Sequence, residues 1–137
     1  HGTTLWFPYQ EDNYLYEYQL NDFRHVKDGA NWIYTQYEEA VIFLDKVVKE
    51  GDIVITHHLP SEKVINRKWR QDNLNRFYAS NLDSFIERKK PAFWFHGHSH
   101  ESCDITIGST RLIRNPHGYY NTSDQNLHFN DKLVINI

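Results

Sequence analysis

Two short apolar runs that each stop in histidines constrain this chain more than any other feature. One is Pro91-Ala92-Phe93-Trp94-Phe95-His96-Gly97-His98-Ser99-His100, and the other is Asp52-Ile53-Val54-Ile55-Thr56-His57-His58. A short apolar run bounded by turn residues reads as a buried strand. Between the two runs, Leu74, Phe77, Tyr78, Leu82, Phe85 and Ile86 form one stripe, which predicts a helix from about Asp72 to Lys89 that Pro91 prevents from continuing. Strand, helix and strand make a βαβ unit, whose strands run parallel and share a carboxyl edge. His57, His58, His98 and His100 are therefore expected on one edge of one sheet, where ligands collect in open α/β folds. Gly97 is expected to make the tight turn after the second strand.

Gathered imidazoles admit two explanations. They can be hydrogen-bonded structural histidines, or they can bind a metal, since neutral imidazole is a good ligand for transition ions. Two clusters meeting at one edge favour the metal. Affinity should then fall as the pH drops through ~6.5, because a ligand imidazole must be neutral.

The remaining elements follow from pattern. Thr3–Phe7 predicts a strand, and the tyrosine-rich residues 9–23 predict an ordered surface loop. Those tyrosines either pack at the edge of the core or cover a ligand, and packing is the favoured reading. Thr35-Gln36-Tyr37-Glu38 has the form of a capping box. It predicts a helix that starts there, buries Tyr37, Val41, Leu44 and Val48, and is stopped by Gly51 in the left-handed conformation. Residues 62–71 predict a loop. Arg88-Lys89-Lys90 reads as a charge cluster closing a helix. Asp104–Ile107 and Thr110–Arg114 predict a hairpin turning on Gly108-Ser109 as type II′. Asn115-Pro116-His117-Gly118 predicts a turn, and Leu133–Ile137 a final strand.

The totals exclude several classes. With 137 residues and 24% charged content, the chain suits one globular unit spanning 1–137. A net charge of -3 gives no basic field for anionic membranes or nucleic acid. The lone Cys103 excludes an intramolecular disulfide framework, and no run approaches the ~20 apolar residues of a membrane span. A cytoplasmic protein without a membrane partner is expected. The chain starts at His1 and holds no methionine, which suggests the later part of a longer protein.

At the two histidine motifs the chain resembles the calcineurin-like metallophosphoesterase superfamily. The matching residues are Ile55-Thr56-His57-His58 with Pro60-Ser61, and Gly97-His98-Ser99-His100 after an apolar strand. Asn73-Leu74-Asn75-Arg76-Phe77 leading into a helix, the Cys103–Arg114 hairpin and Asn115-Pro116-His117-Gly118-Tyr119 add to the match, which is closest from Gly51 to Tyr119. The resemblance implies an α/β (α+β) fold: half of a four-layer αββα sandwich, with a mixed sheet and two main helices. It implies that His57 and His98 ligate one metal and His100 the other. It places His58 in the outer shell or facing substrate, as a candidate catalytic and substrate-binding residue together with His117. Arg114 is a further candidate for the phosphoryl group, although a surface arginine is the plainer reading.

The family's Asp-x-His, Gly-Asp and Gly-Asn-His motifs do not occur. The resemblance therefore covers only the carboxyl-terminal half of that domain. The complete enzyme would hold two divalent transition ions of the manganese, iron, zinc or nickel class. It would hydrolyse a phosphomonoester or phosphodiester with a metal-activated hydroxide. Three neutral imidazoles cannot offset the repulsion between two cations, so this chain alone is expected to bind at most one ion tightly and to be inactive. A half-sandwich also leaves a sheet face uncovered near Phe93-Trp94-Phe95, to be covered by the missing half, a second copy or another chain. The alternative is a non-catalytic metal- or partner-binding module derived from that fold. A nucleic-acid binder using its aromatics for stacking is opposed by the acidic balance, while nucleic acid stays open as a substrate.

Overall fold

Strand β2 (Ile53–Thr56) pairs in parallel with β3 (Phe93–Phe95), in the register Ile53↔Phe93, Val54↔Trp94 and Ile55↔Phe95. The computed structural model that shows this describes all 137 residues. The hairpin β4 (Cys103–Ile107) and β5 (Thr110–Arg114) joins through β5, which runs parallel to β3. A two-residue strand β1 (Gly2–Thr3) lies parallel to the other side of β2. The result is a five-stranded mixed sheet of order β1-β2-β3-β5-β4. At the hairpin turn Gly108 has φ 57° and Ser109 does not enter the positive range, as a type II′ turn requires.

Three helices accompany the sheet: α1 (Asn21–His25), α2 (Gly29–Val47) and α3 (Asp83–Lys89). Alternate strand residues point to opposite faces. Val54, Trp94, Leu112 and Ile107 face Ala40, Leu44 and Val48 from the α2 region and Phe85 and Ile86 of α3, forming one core. On the opposite face Ile55 is 56% exposed, and Ile53, Phe93 and Phe95 are only partly buried. One sheet face is packed and the other is open, so the chain itself has two layers.

Several expectations are corrected. Helix α2 starts six residues before the capping-box threonine, with Asp28 preceding it at φ 57°. The Thr35 hydroxyl donates back to the Asn31 carbonyl instead of capping. Ile33, one turn before Tyr37, is fully buried and carries the apolar stripe backwards past the local signal. The helix ends at Val47, and Gly51, at φ 85°, turns the chain into β2 rather than stopping the helix.

The helix expected over 72–89 is broken. A 3-10 segment spans Asn73–Phe77, and α3 begins only at Asp83. Between them the backbone turns to another partner: Leu59 donates to Tyr78, Ser80 to Leu59 and Leu82 to Pro60. Arg88 and Lys89 at the end of α3 both pair with Asp45 of α2, so those charges tie one helix to the other. Leu5, at φ 51°, ends β1 early. The loop expected at 9–23 holds two 3-10 turns and the start of α1. Leu133–Ile137 is not a strand, because no neighbour accepts its ladder bonds, and Val134 and Ile137 are exposed. No helix is long and apolar enough to cross a membrane.

Candidate functional site

The parallel register carries the histidines to one edge. The Gly97 amide donates to the His57 carbonyl at 3.0 Å, which brings the two post-strand segments together. Nε2 of His57 and Nδ1 of His98 then lie 3.0 Å apart. The chain turns at His98 itself, which has φ 66°. Gly97 has no positive φ, and a Cβ there would meet only ordinary contacts at 3.7 Å, so the glycine is not what makes the turn possible. A left-handed histidine costs about 1–2 kcal/mol and persists where its surroundings over-determine it. The His98 ring is gripped by His58 at 4.3 Å and Tyr78 at 4.6 Å between centroids.

His57, His98 and His100 line one cleft of about 760 Å³, together with Trp69, Tyr78 and Tyr119. The His100 ring meets Tyr119 edge-on at 4.8 Å. His58 does not line the cleft. It is 2% exposed, with Trp6 and Phe7 against its ring and Nδ1 beside the Thr4 carbonyl at 3.3 Å. It stands behind His98, in the outer of the two positions expected for it and not facing the cleft.

Arg114 is likewise turned inward. Its Nε donates to the Glu101 carbonyl at 2.6 Å and its Nη2 to the Val64 carbonyl at 3.2 Å. His117 lies exposed outside the cleft, with its ring near Tyr120 and Phe129. Neither lines the cleft.

Burial decides the protonation of the histidine edge. It pushes His58 down to about 2, helped by the neighbouring His98 and His57. It pushes His98 down to about 4, helped by His57, His100 and Arg114. His57 is also lowered by burial, with Asp22 opposing. His96, at 7% exposure, has no partner for either ring nitrogen and is pushed to about 3 by burial and then by Arg114. A core hydrogen-bond chain reaches the same edge, because Trp94 Nε1 donates to Thr56 Oγ1 at 3.0 Å and Thr56 Oγ1 donates to the His58 carbonyl at 2.8 Å.

These lowered values fix the sign of the acid response. Unfolded histidines take up protons near 6.5, while the folded ones resist down to about 2 to 4. Their contribution to stability is complete above pH 6.5 and drains away as the pH falls toward the folded values. The thermal midpoint, followed by circular dichroism, is expected to be level from pH 8 to 6.5 and to drop steeply below it. A midpoint unchanged down to pH 4.5 would show that these histidines are not buried and neutral.

Sequence reasoning missed Glu101, Trp69, Tyr78 and Tyr119 as cleft residues. Glu101 directly follows the second histidine motif, and that adjacency is the one available signal. No group of three or more His, Cys, Asp or Glu side chains is arranged to hold a metal ion. The chain matches no family model, no curated protein and no solved structure.

Proposed function

We propose that this chain supplies the histidine part of a metal-dependent phosphoesterase centre and that a further segment or chain completes it. The observation that carries the reading is the 3.0 Å separation of His57 Nε2 and His98 Nδ1 at the mouth of the cleft. Two nitrogens each ~2.0–2.1 Å from one ion, at tetrahedral to right angles, stand about 2.9–3.4 Å apart. The pair fits two donors of one ion, and without an ion the same spacing is that of a hydrogen bond between the two rings, which a bound ion would replace. His100, set against Tyr119 in the same cleft, is the candidate donor for a second ion.

A divalent ion of the manganese, iron, zinc or nickel class, when bound, would activate water and neutralise charge on the phosphoryl oxygens. The chain's own residues do the rest. Burial keeps His98 neutral and ready to donate its lone pair, His58 and Tyr78 fix its ring, and Tyr78, Trp69 and Tyr119 give the cleft apolar walls for the ester's organic part. Nucleic acid belongs among the esters to be tried. The open face bearing Ile55 is where a completing segment or a second copy would pack.

A second reading, a non-catalytic metal- or partner-binding module, is favoured by the absence of a third donor beside the histidine pair. Plasma-emission metal analysis of the isolated chain is expected to find one tightly held ion at most, with aryl phosphate hydrolysis in added manganese at background. Brisk hydrolysis would overturn the need for a completing segment. Complete failure to bind added zinc in titration, even weakly, would overturn the metal reading.

A further inference from the structure

Glu101 stands at a junction that the metal reading does not use. Its Oε2 accepts the Ser99 hydroxyl at 2.5 Å, and Ser99 separates His98 from His100. Its Oε1 accepts the Trp69 indole N–H at 3.0 Å and lies 3.3 Å from Lys68 Nζ. Its backbone carbonyl accepts Nε of Arg114, whose side chain is 1% exposed. Three separate segments meet on one residue: the histidine turn, the 3-10 turn Arg67–Trp69 and the end of β5.

We propose that Glu101 is a positioning residue that locks the turn bearing His98 and His100 to the cleft wall bearing Lys68 and Trp69. A carboxylate that accepts several donors at once has little rotational freedom, and charge-assisted bonds are the stronger kind. The turn needs such a restraint, because His98 holds a left-handed backbone that relaxes when its surroundings loosen. The wall needs it too. Residues 66–77 contain only short 3-10 turns, and Trp69 reaches the histidine turn through this one indole bond. Packing a ligand against Trp69 is thereby coupled to the placement of the histidine donors. The lock stands on geometry, and only its consequence for metal affinity rests on the proposed function.

The full chain can be tested by nuclear magnetic resonance and zinc titration. Its four tryptophans give four indole N–H signals, and Trp69→Phe assigns one of them by deletion. In Glu101→Ala the Trp69 signal is expected to lose its downfield shift and to exchange with water at least tenfold faster. The ring signals of His98 and His100 should move, and those of exposed His117 should stay. Trp69→Phe, which keeps an aromatic wall but removes the donor, should move the same histidine signals. Glu101→Gln should restore them in part. Zinc alone should bind at least tenfold more weakly to Glu101→Ala.

Unmoved indole and histidine signals in Glu101→Ala would overturn the lock, whatever zinc does. If Glu101→Ala does not fold, unmoved histidine signals in Trp69→Phe overturn it equally. Moved signals with no zinc binding even in the parent chain would leave the lock standing and remove the metal reading.

Discussion

Replacing His98 with alanine is expected to weaken zinc binding by about 100-fold or more, a loss of about 2.7 kcal/mol or greater. His57 Nε2 and His98 Nδ1 form the only close donor pair at the histidine edge, and no further group of donors stands ready to replace the lost imidazole. Isothermal titration of the two chains measures the difference. His117→Ala is the control and should bind as the parent does, because that ring lies outside the cleft. Equal affinities for parent and His98→Ala would end the assignment of His98 as a ligand.

The parent chain's pH profile sharpens the test. Free histidines would make affinity fall through ~6.5. Burial holds His98 at about 4 and lowers His57 as well, so protons compete less effectively here. Affinity should be nearly level from pH 8 to 6.5 and decline in the more acidic range below. A decline already centred above 6.5 would mean that another group limits binding.

Trp94→Ala is expected to cost about 3–5 kcal/mol of folding stability, at or above the upper end once the lost hydrogen bond is included. Trp94 is fully buried at the centre of the sheet, against Phe85 of α3, and its indole N–H is bonded to Thr56 Oγ1. A loss of that size is a large part of the ~5–15 kcal/mol that holds a typical domain together. Trp94→Phe keeps most of the ring but leaves Thr56 without its donor, and should cost about 1–3 kcal/mol. Urea unfolding of the three chains, read as midpoint shifts at constant slope, tests the ranking. Equal midpoints for Trp94→Ala and the parent would place Trp94 outside the core.

Much of this site was legible because β strands declare themselves by short apolar runs, and β2, β3 and the hairpin fall where those runs do. The parallel pairing followed from the crossover between them, and the shared edge followed from the pairing. The direction of side chains past the strand ends was not legible. His57 and His58 are neighbours in sequence, yet one lines the cleft and the other packs behind it, because Trp6 and Phe7 arrive from the far end of the chain. Arg114 turned inward for a similar reason: its acceptors, the Glu101 and Val64 carbonyls, come from distant segments.

Local signals also lost to tertiary ones. The Thr35 capping box was overridden by a helix already begun before Ile33, and the stripe through residues 72–89 was interrupted by backbone bonds from Leu59 and Pro60. The Glu101–Trp69 bond spans 32 residues between polar stretches that have no period to announce it.

The left-handed backbone of His98 sets chemistry against conformation at one position. Glycine is the residue that this backbone prefers, and histidine is the residue that places an imidazole in the cleft. Under selection for fold stability alone, position 98 would drift toward glycine or asparagine ahead of its neighbours. Histidine at position 98 therefore holds the turn at a cost in backbone energy that glycine would not incur.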